Sequence, residues 1–459
     1  MPERLLVVGG DAAGMSAASQ ARRRRPAAAL EVIAFERGGH TSYSACGIPY
    51  LIGGLVEELD DLVARTPEVF RDRFQIDARI GHEVIGIDTK NRRVRVREIQ
   101  SGTEYQEAYD QLVVATGAEP RRPPIPGIEA EGIHGVQTLD DAVSVERSLE
   151  GGARRAVIVG AGYIGLEMAE AFVLRGLDVT LVEQAPQPMT TLDLEMGELV
   201  ADALREIGVG LRLGEEVEGF DVVEGRVRSV EAGGGSIPAD LVVLGTGTRP
   251  ASGLAEEAGI PIGPTGGVRT DARMRTEVPG VWAAGDCVET FHRVSRKPVA
   301  IALGTHANKQ GRVAGINLGG GYATFPGVVG TAVSKICSVE VARTGLNESE
   351  AEAAGFAFGS VVVESSTRAG YYPGAEKMTV KLIAELQTGR LLGAQIVGAE
   401  GAAKRIDVIA TALWNEMTVD EIQGMDLSYA PPFSPVWDPV LIAARKAQER
   451  AEDGWADAP

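Results

Sequence analysis

One unit occurs twice in this 459-residue chain: a short apolar strand, a glycine-rich turn, a helix, and a second strand that ends on a carboxylate. The first copy opens with Leu5, Leu6, Val7 and Val8, turns through Gly9, Gly10 and Gly14, continues as a helix over 15–25, and closes its second strand, 30–35, on Glu36. The second copy opens with 156–159 and carries Gly160, Gly162 and Gly165 in a full G-x-G-x-x-G. Its helix sets Ile164, Met168 and Phe172 on one face, and its next strand, 179–182, ends on Glu183. This is the βαβ dinucleotide fingerprint: glycines let the backbone approach a pyrophosphate at a helix N-terminus, and the terminal acid accepts bonds from ribose hydroxyls. The first copy has Asp11 at the middle glycine position. An acid is unfavourable beside a pyrophosphate, so Asp11 is expected to point away.

The two copies also close alike. Residues 110–120 read D-Q-L-V-V-A-T-G-A-E-P, and 240–250 read D-L-V-V-L-G-T-G-T-R-P, which aligns Thr116 and Gly117 with Thr246 and Gly247. Two Rossmann units imply two dinucleotides, or one dinucleotide and a relic. A further segment, 276–286, reads T-E-V-P-G-V-W-A-A-G-D and delivers Asp286 to a ligand polyol. From about residue 326 the pattern changes to strand-like runs at 328–333, 358–363, 378–384 and 391–397. The last two join through a turn at 387–390, and helices are expected at 402–415 and 438–450. This reads as a separate α+β domain after an α/β part.

A formal net charge of −19 argues against nucleic-acid binding or adhesion to anionic membrane. No apolar run approaches the roughly 18 residues that span a bilayer. The N-terminus enters its first strand without a signal-peptide pattern. Three cysteines, Cys46, Cys287 and Cys337, are too few and too scattered for a disulfide framework or a zinc site, so no metal is expected and the chain reads as cytoplasmic.

These residues resemble the two-dinucleotide flavoprotein disulfide reductases over essentially the whole chain. The resemblance implies a glutathione-reductase-like fold: an FAD domain at 1–120 and 250–325, an NAD(P)H domain at 121–249, and a C-terminal dimerisation domain at 326–459. It assigns Gly9, Gly14, Glu36, Thr116, Gly117 and Asp286 to FAD. Gly160, Gly162, Gly165, Glu167, Glu183 and Gly247 go to the pyridine nucleotide. A carboxylate at Glu183 accepts from a 2′-hydroxyl and repels a 2′-phosphate, and Gln184, Ala185 and Pro186 offer no arginine, so NADH is expected over NADPH.

Glutathione-reductase-like members carry two cysteines five apart and a C-terminal histidine. Here Leu51 stands five after Cys46 and no histidine follows His306, which excludes that dithiol mechanism. Residues 42–50, S-Y-S-A-C-G-I-P-Y, instead resemble the single-cysteine branch of coenzyme A (CoA) disulfide reductases, CoA persulfide reductases and NADH oxidases or peroxidases. Cys46 is then the nucleophile, its thiolate stabilised at a helix N-terminus. Cys287 and Cys337 read as inert buried thiols.

The Pro-rich stretch 429–440 resembles the CoA disulfide reductases, in which it crosses the dimer. That implies a homodimer with shared sites, Tyr429 near the partner's cysteine and Phe433 against the flavin. Tyr371 and Tyr372 are further candidates for this pocket. Gln20, Arg23 and Ser42 match CoA-channel positions, while Ala45 stands where some relatives have asparagine. His306, Asn308 and Arg312 fall where the family turns a helix toward flavin and substrate. The rest of the run 22–25 reads as solvated arginines at a helix C-terminus. A rhodanese domain is expected to be absent. The expected activity is NADH-dependent reduction of CoA disulfide, CoA persulfide or a related species. The alternatives are an NADH oxidase or peroxidase cycling Cys46 through a sulfenic acid, or a flavoprotein redox sensor or interaction protein.

Overall fold

The computed structural model describes residues 2–452. Met1 and the final stretch 453–459 of the expected third domain lie outside the described residues. Both βαβ units form. Strand Glu3–Val8, helix Ala12–Arg24 and strand Leu30–Glu36 make the first; Arg155–Val159, Tyr163–Leu174 and Asp178–Glu183 make the second. The paired strands are parallel, with Val8 opposite Phe35 and Val159 opposite Val182. Leu5, Leu6 and Val7 are fully buried, as parallel strands covered on both faces require. The third glycine of each turn is dictated by packing: a Cβ on Gly14 would lie 1.9 Å from the Gly9 carbonyl oxygen, and one on Gly165 2.0 Å from that of Gly160.

The first sheet runs Val281–Ala283, Gln111–Val114, Glu3–Val8, Leu30–Glu36, Asp77–Ile80. The strand that leads into Asp286 thus joins the first unit's sheet although the whole second unit intervenes in sequence. The second sheet runs Gly210–Leu213, Asp178–Glu183, Arg155–Val159, Leu241–Leu244, Ile133–His134. The repeated aspartates turn out to be structural. Asp110 accepts from the Arg4 backbone N–H at 2.7 Å. Asp240 is paired with the Arg155 guanidinium and accepts from the Arg154 and Arg155 N–H groups, which holds it down to about 2. Each fastens the start of its unit's first strand. The segments after the repeated Thr-Gly, Ala118–Pro120 and Thr248–Pro250, pair with each other as an antiparallel ribbon joining the two units.

Helix Gly304–Leu318 lies along Ala12–Arg24 at close range. A Cβ on Gly311 would meet the Ala13 carbonyl oxygen at 2.1 Å, and one on Gly315 that of Ala17 at 2.3 Å. Beyond it, a five-stranded antiparallel sheet runs Ala332–Ile336, Val339–Gly345, Leu391–Gly398, Lys377–Glu385, Phe358–Ser366, and helices Ala402–Trp414 and Pro439–Glu452 pack on it.

Two expectations are corrected. The run 328–333 is a strand only in its last two residues: Gly327 and Gly330 take left-handed conformations, Val328 makes only an isolated bridge to His292, and the strand starts at Ala332. Cys337 lies in the turn between Ala332–Ile336 and Val339–Gly345 with φ +50°, and it is partly exposed rather than buried. Cys287 is fully buried, its Sγ 3.4 Å from the Ala284 carbonyl oxygen.

Candidate active site

Cys46 sits in a single 3₁₀ turn, Ala45–Gly47, that feeds the short helix Ile48–Ile52. The motif around it has local causes. A Cβ on Gly47 would be 2.3 Å from the Leu62 side chain, so a larger residue would push the turn off its support. Pro49 is placed in the first turn of the helix, where its missing N–H costs nothing. Ser42 adopts φ +49°, and its N–H and carbonyl are tied to the Gly10 oxygen and the Ala64 N–H. The segment therefore leaves the first glycine turn on a fixed course.

Cys46 is exposed in the single chain. Lost hydration around the sulfur, then the charges of Glu167 and Asp286, hold its thiol above the ordinary value. The helix terminus expected to lower it does not prevail within the chain alone. Glu167 is half-buried in helix Tyr163–Leu174 and accepts from Ser334 Oγ at 3.3 Å; burial pushes its carboxyl up to about 7.

Around the first glycine turn three acids converge. Glu36 accepts from the Gly10 N–H at 2.7 Å and the Gly38 N–H at 2.7 Å. Asp11 accepts from the Tyr43 N–H at 3.1 Å and so turns its side chain toward the Cys46 segment; burial, with the Glu36 and Asp286 charges, raises it to about 6. Burial likewise raises Asp286 to about 6, and its Oδ1 is buried with no hydrogen-bond partner. An orphaned buried acceptor costs roughly 1–3 kcal/mol, which a donor on a bound ligand recovers. A hydroxyl-rich dinucleotide chain fits this donor-hungry cradle. Thr116 Oγ bonds the Ala251 oxygen at 2.6 Å, and Gly117 turns with φ +73°.

The second unit opens onto a cavity of about 1100 Å³ lined by Gly160, Gly162, Glu183, Thr190 and Gly247. Apart from its own chain neighbours, nothing among the described residues lies within 4 Å of where a Gly162 Cβ would be, so that glycine leaves open space rather than serving packing. Glu183 repeats the Glu36 arrangement, accepting from the Ala161 N–H at 2.7 Å and the Ala185 N–H at 2.9 Å. The fit to a second dinucleotide is the same in kind. Arg121, Arg122 and Arg249 also reach this cavity, which the local sequence after Glu183 did not indicate. Arg122 and Arg249 are paired with Glu129 and Glu119.

A third cavity, about 250 Å³, lies between helices Ala12–Arg24 and Gly304–Leu318. Ala12, Met15, Ser16, Ser19, Gln20 and Arg23 present one helical face to it. Ser42, Arg65, Asn308 and Arg312 complete the wall. Five residues expected at a substrate channel, Gln20, Arg23, Ser42, Asn308 and Arg312, are thus gathered in one place. Arg65, Ser16 and Ser19 were not foreseen. Asn308 Oδ1 accepts from Ser16 Oγ at 2.8 Å, and the buried Ser19 hydroxyl has no partner.

Among the described residues, Arg23, Arg65 and Arg312 form no ion pair; the Arg65 guanidinium stacks over Phe74 at 5.5 Å. Of the other arginines of the run, Arg24 is exposed as expected, but Arg22 and Arg25 are not simply solvated. Arg22 bonds the Leu30 and Gln75 oxygens at 2.6 and 2.9 Å, and Arg25 pairs with Glu3. His306 is not brought to this cavity. Burial lowers it to about 4, and its Nδ1 has no partner.

The Pro-rich segment has neither helix nor strand between 424 and 438. It is pinned by Arg405, which donates to the Phe433 oxygen at 2.8 Å and pairs with Asp438 at 3.0 Å. Tyr429 and Phe433 stay exposed, Phe433 by 75%. The neighbouring Tyr371 hydroxyl raises the Tyr429 phenol. None of the three lines the cavities above. Among the described residues no helix is long and apolar enough to cross a membrane, and no group of side chains is arranged to hold a metal.

The model of the pyridine nucleotide-disulphide oxidoreductase family matches residues 3–311, and that of its dimerisation domain matches 331–439. The chain is 41% identical over 446 residues to an NAD(P)H sulfur oxidoreductase (CoA-dependent) of Pyrococcus abyssi, covering 96% of this chain and 97% of that one. It is 31% identical to a coenzyme A disulfide reductase of Staphylococcus haemolyticus, with 97% and 99% covered. The structure of an NAD-dependent persulfide reductase from A. fulgidus matches with a TM-score of 0.95 at 41% identity, covering 98% of this chain and 84% of that chain. Two dinucleotide cradles, a cysteine turn between them and a C-terminal dimerisation sheet therefore place the chain in the pyridine nucleotide-disulphide oxidoreductase family.

Proposed function

We propose that the protein is a cytoplasmic, homodimeric, NADH-dependent FAD enzyme that reduces CoA disulfide, CoA persulfide or a related CoA-linked sulfur species through Cys46. The sheet bearing Glu36 and Asp286 (1–120 and 250–325) holds FAD. The unit bearing Glu183 (121–249) holds NADH, and the remainder (326–459) forms the dimer. Bound FAD supplies the two-electron relay between nicotinamide and sulfur. Cys46 attacks the sulfur–sulfur bond of the substrate, forming a mixed disulfide and releasing one thiol. Tyr429 of the other protomer donates the proton that thiol takes up.

The observation that carries the CoA reading is the cavity of Arg23, Arg65 and Arg312. In a chain of net charge −19, three guanidiniums with no ion pair among the described residues surround one small hollow and make a local anion site, reached from the same segment that carries Cys46. CoA's phosphates match that charge while its thiol end reaches toward the cysteine. The test is an anaerobic panel of CoA disulfide, CoA persulfide, pantethine and glutathione disulfide. Pantethine keeps the sulfur end of CoA and lacks the nucleotide phosphates. Its kcat/KM is expected to fall roughly a hundredfold below that of CoA disulfide, the equivalent of two charge-assisted hydrogen bonds. Arg312→Ala is expected to narrow that gap by weakening CoA disulfide alone. Equal rates for pantethine and CoA disulfide would sink the reading.

NADH is the expected reductant because Glu183, already holding two backbone N–H groups, stands where an added phosphate would be repelled. Glu183→Ala should narrow the NADH:NADPH ratio of kcat/KM, from a preference of roughly tenfold or more toward parity. A wild-type protein that uses both equally would contradict this.

A further inference from the structure

Lys381 lies in strand Lys377–Glu385 of the C-terminal sheet with its side chain fully buried. An ammonium in such a place is tolerated only when surrounded by compensating charge. Its Nζ is ringed by Asp193 Oδ2 at 2.9 Å, Glu195 Oε1 at 2.5 Å and Glu348 Oε1 at 2.7 Å. Two of those three acids, Asp193 and Glu195, stand at the start of helix Leu194–Glu206, which follows the second βαβ unit, so the ring closes only when that helix start is seated on the C-terminal sheet.

The same corner is fastened by further hydrogen bonds. Gln395 accepts from the Asp193 N–H at 2.8 Å and donates to its carboxylate at 2.6 Å, while Arg343 donates to the Thr191 oxygen at 2.9 Å. Residues 184–193 run from Glu183 to this corner and include Gln184, Ala185 and Thr190 of the 1100 Å³ cavity wall. Midway, Met189 holds a left-handed conformation, φ +53°, and donates its N–H to the Ala161 oxygen, beside the Ala161 N–H that Glu183 accepts. The segment is thus fixed at the cavity end by Glu183 and Met189 and at the far end by the lysine ring.

We infer that Lys381 and Gln395 are positioning residues for the pyridine nucleotide: by clamping Thr191–Asp193 they set the wall of the nucleotide cavity from the dimerisation domain. This rests on the reading that the cavity takes NADH. Neither residue touches the cavity, so the sulfur chemistry should not depend on them.

The test uses the FAD-loaded enzyme and ADP-ribose, which probes the nucleotide wall without turnover. In Lys381→Met, the Kd for ADP-ribose and the KM for NADH should each rise roughly fivefold, the equivalent of about 1 kcal/mol. The kcat at saturating NADH, the FAD content and the KM for CoA disulfide should stay within about twofold of wild type. Amide exchange over 184–193 should quicken while that of the adjacent strand Arg155–Val159 does not. Gln395→Leu removes both bonds to Asp193 without unburying a charge. It should show the same split in smaller measure, and it decides the matter if Lys381→Met does not fold. Unchanged ADP-ribose affinity and unchanged exchange over 184–193 in the folded variants would overturn the inference. A wild-type enzyme that binds no ADP-ribose would instead overturn the nucleotide reading, and the inference with it.

Discussion

Cys46→Ser is expected to leave a yellow, folded protein that still bleaches on anaerobic addition of NADH, yet has lost disulfide reduction by roughly three orders of magnitude or more. A serine hydroxyl fills the same space but is a far weaker nucleophile than a thiol and forms no mixed disulfide. Nothing structural depends on the sulfur: the turn is held by Gly47 against Leu62 and by backbone bonds of Ser44, none of which involve the Cys46 side chain. Cys287→Ser and Cys337→Ser should retain most activity. The first thiol is sealed beneath the Val114 and Ala284 carbonyls, and the second lies in a turn of the C-terminal sheet. Normal turnover of CoA disulfide by the Cys46 variant would remove this assignment.

The second large effect follows from what the single chain lacks. Lost hydration around the sulfur and the charges of Glu167 and Asp286 disfavour a Cys46 thiolate within the single chain, against a smaller opposing effect of a backbone hydrogen bond in its own turn. Tyr429 is an exposed hydroxyl on a segment that Arg405 and Asp438 hold rigid, and its neighbours Phe433, Val436 and Trp437 are exposed as well. So much apolar surface around a fixed tyrosine suits a self-complementary dimer interface. Tyr429→Phe should lower kcat for CoA disulfide about a hundredfold, with FAD content and dimer mass unchanged. The decisive form is complementation. Mixed dimers of Cys46→Ser and Tyr429→Phe chains contain one intact site, so activity after subunit exchange should exceed that of either parent. No recovery after verified exchange, or full activity in a monomer, would show that the site is not shared.

The parts legible in the sequence are those where the backbone itself is constrained. Gly14 and Gly165 have no alternative beside the carbonyls they touch, and the acids ending the second strands, Glu36 and Glu183, bind the N–H groups of the turns next to them. Such requirements leave a mark at fixed spacing. Contacts made across long sequence distances leave none. Arg65 reaches the arginine cavity from a loop with no helical period, and the buried Lys381 reads as one polar residue in an apolar strand until its acids, far away in sequence, are folded onto it. The four consecutive arginines illustrate both cases. Helical geometry points them in different directions, so one run supplies a cavity residue, Arg23, and two buttresses, Arg22 and Arg25. The misplaced strand at 328–333 has a plainer cause, since left-handed glycines at 327 and 330 outweigh the β-branched residues between them.

The antiparallel ribbon formed by Ala118–Pro120 and Thr248–Pro250 bears on how such a chain arose. It brings the two ends of the second unit side by side, so the chain enters and leaves the insertion through a narrow two-strand stem. Closing a loop costs entropy that grows slowly with its length. An ancestral gene could therefore accept a duplicate of its own nucleotide-binding segment at this stem without disturbing the pairing of Val281–Ala283 with Gln111–Val114. The shared D-x-x-x-x-x-T-G endings at 110–117 and 240–247 would then be the scar of that duplication, kept because each aspartate still fastens the first strand of its own copy.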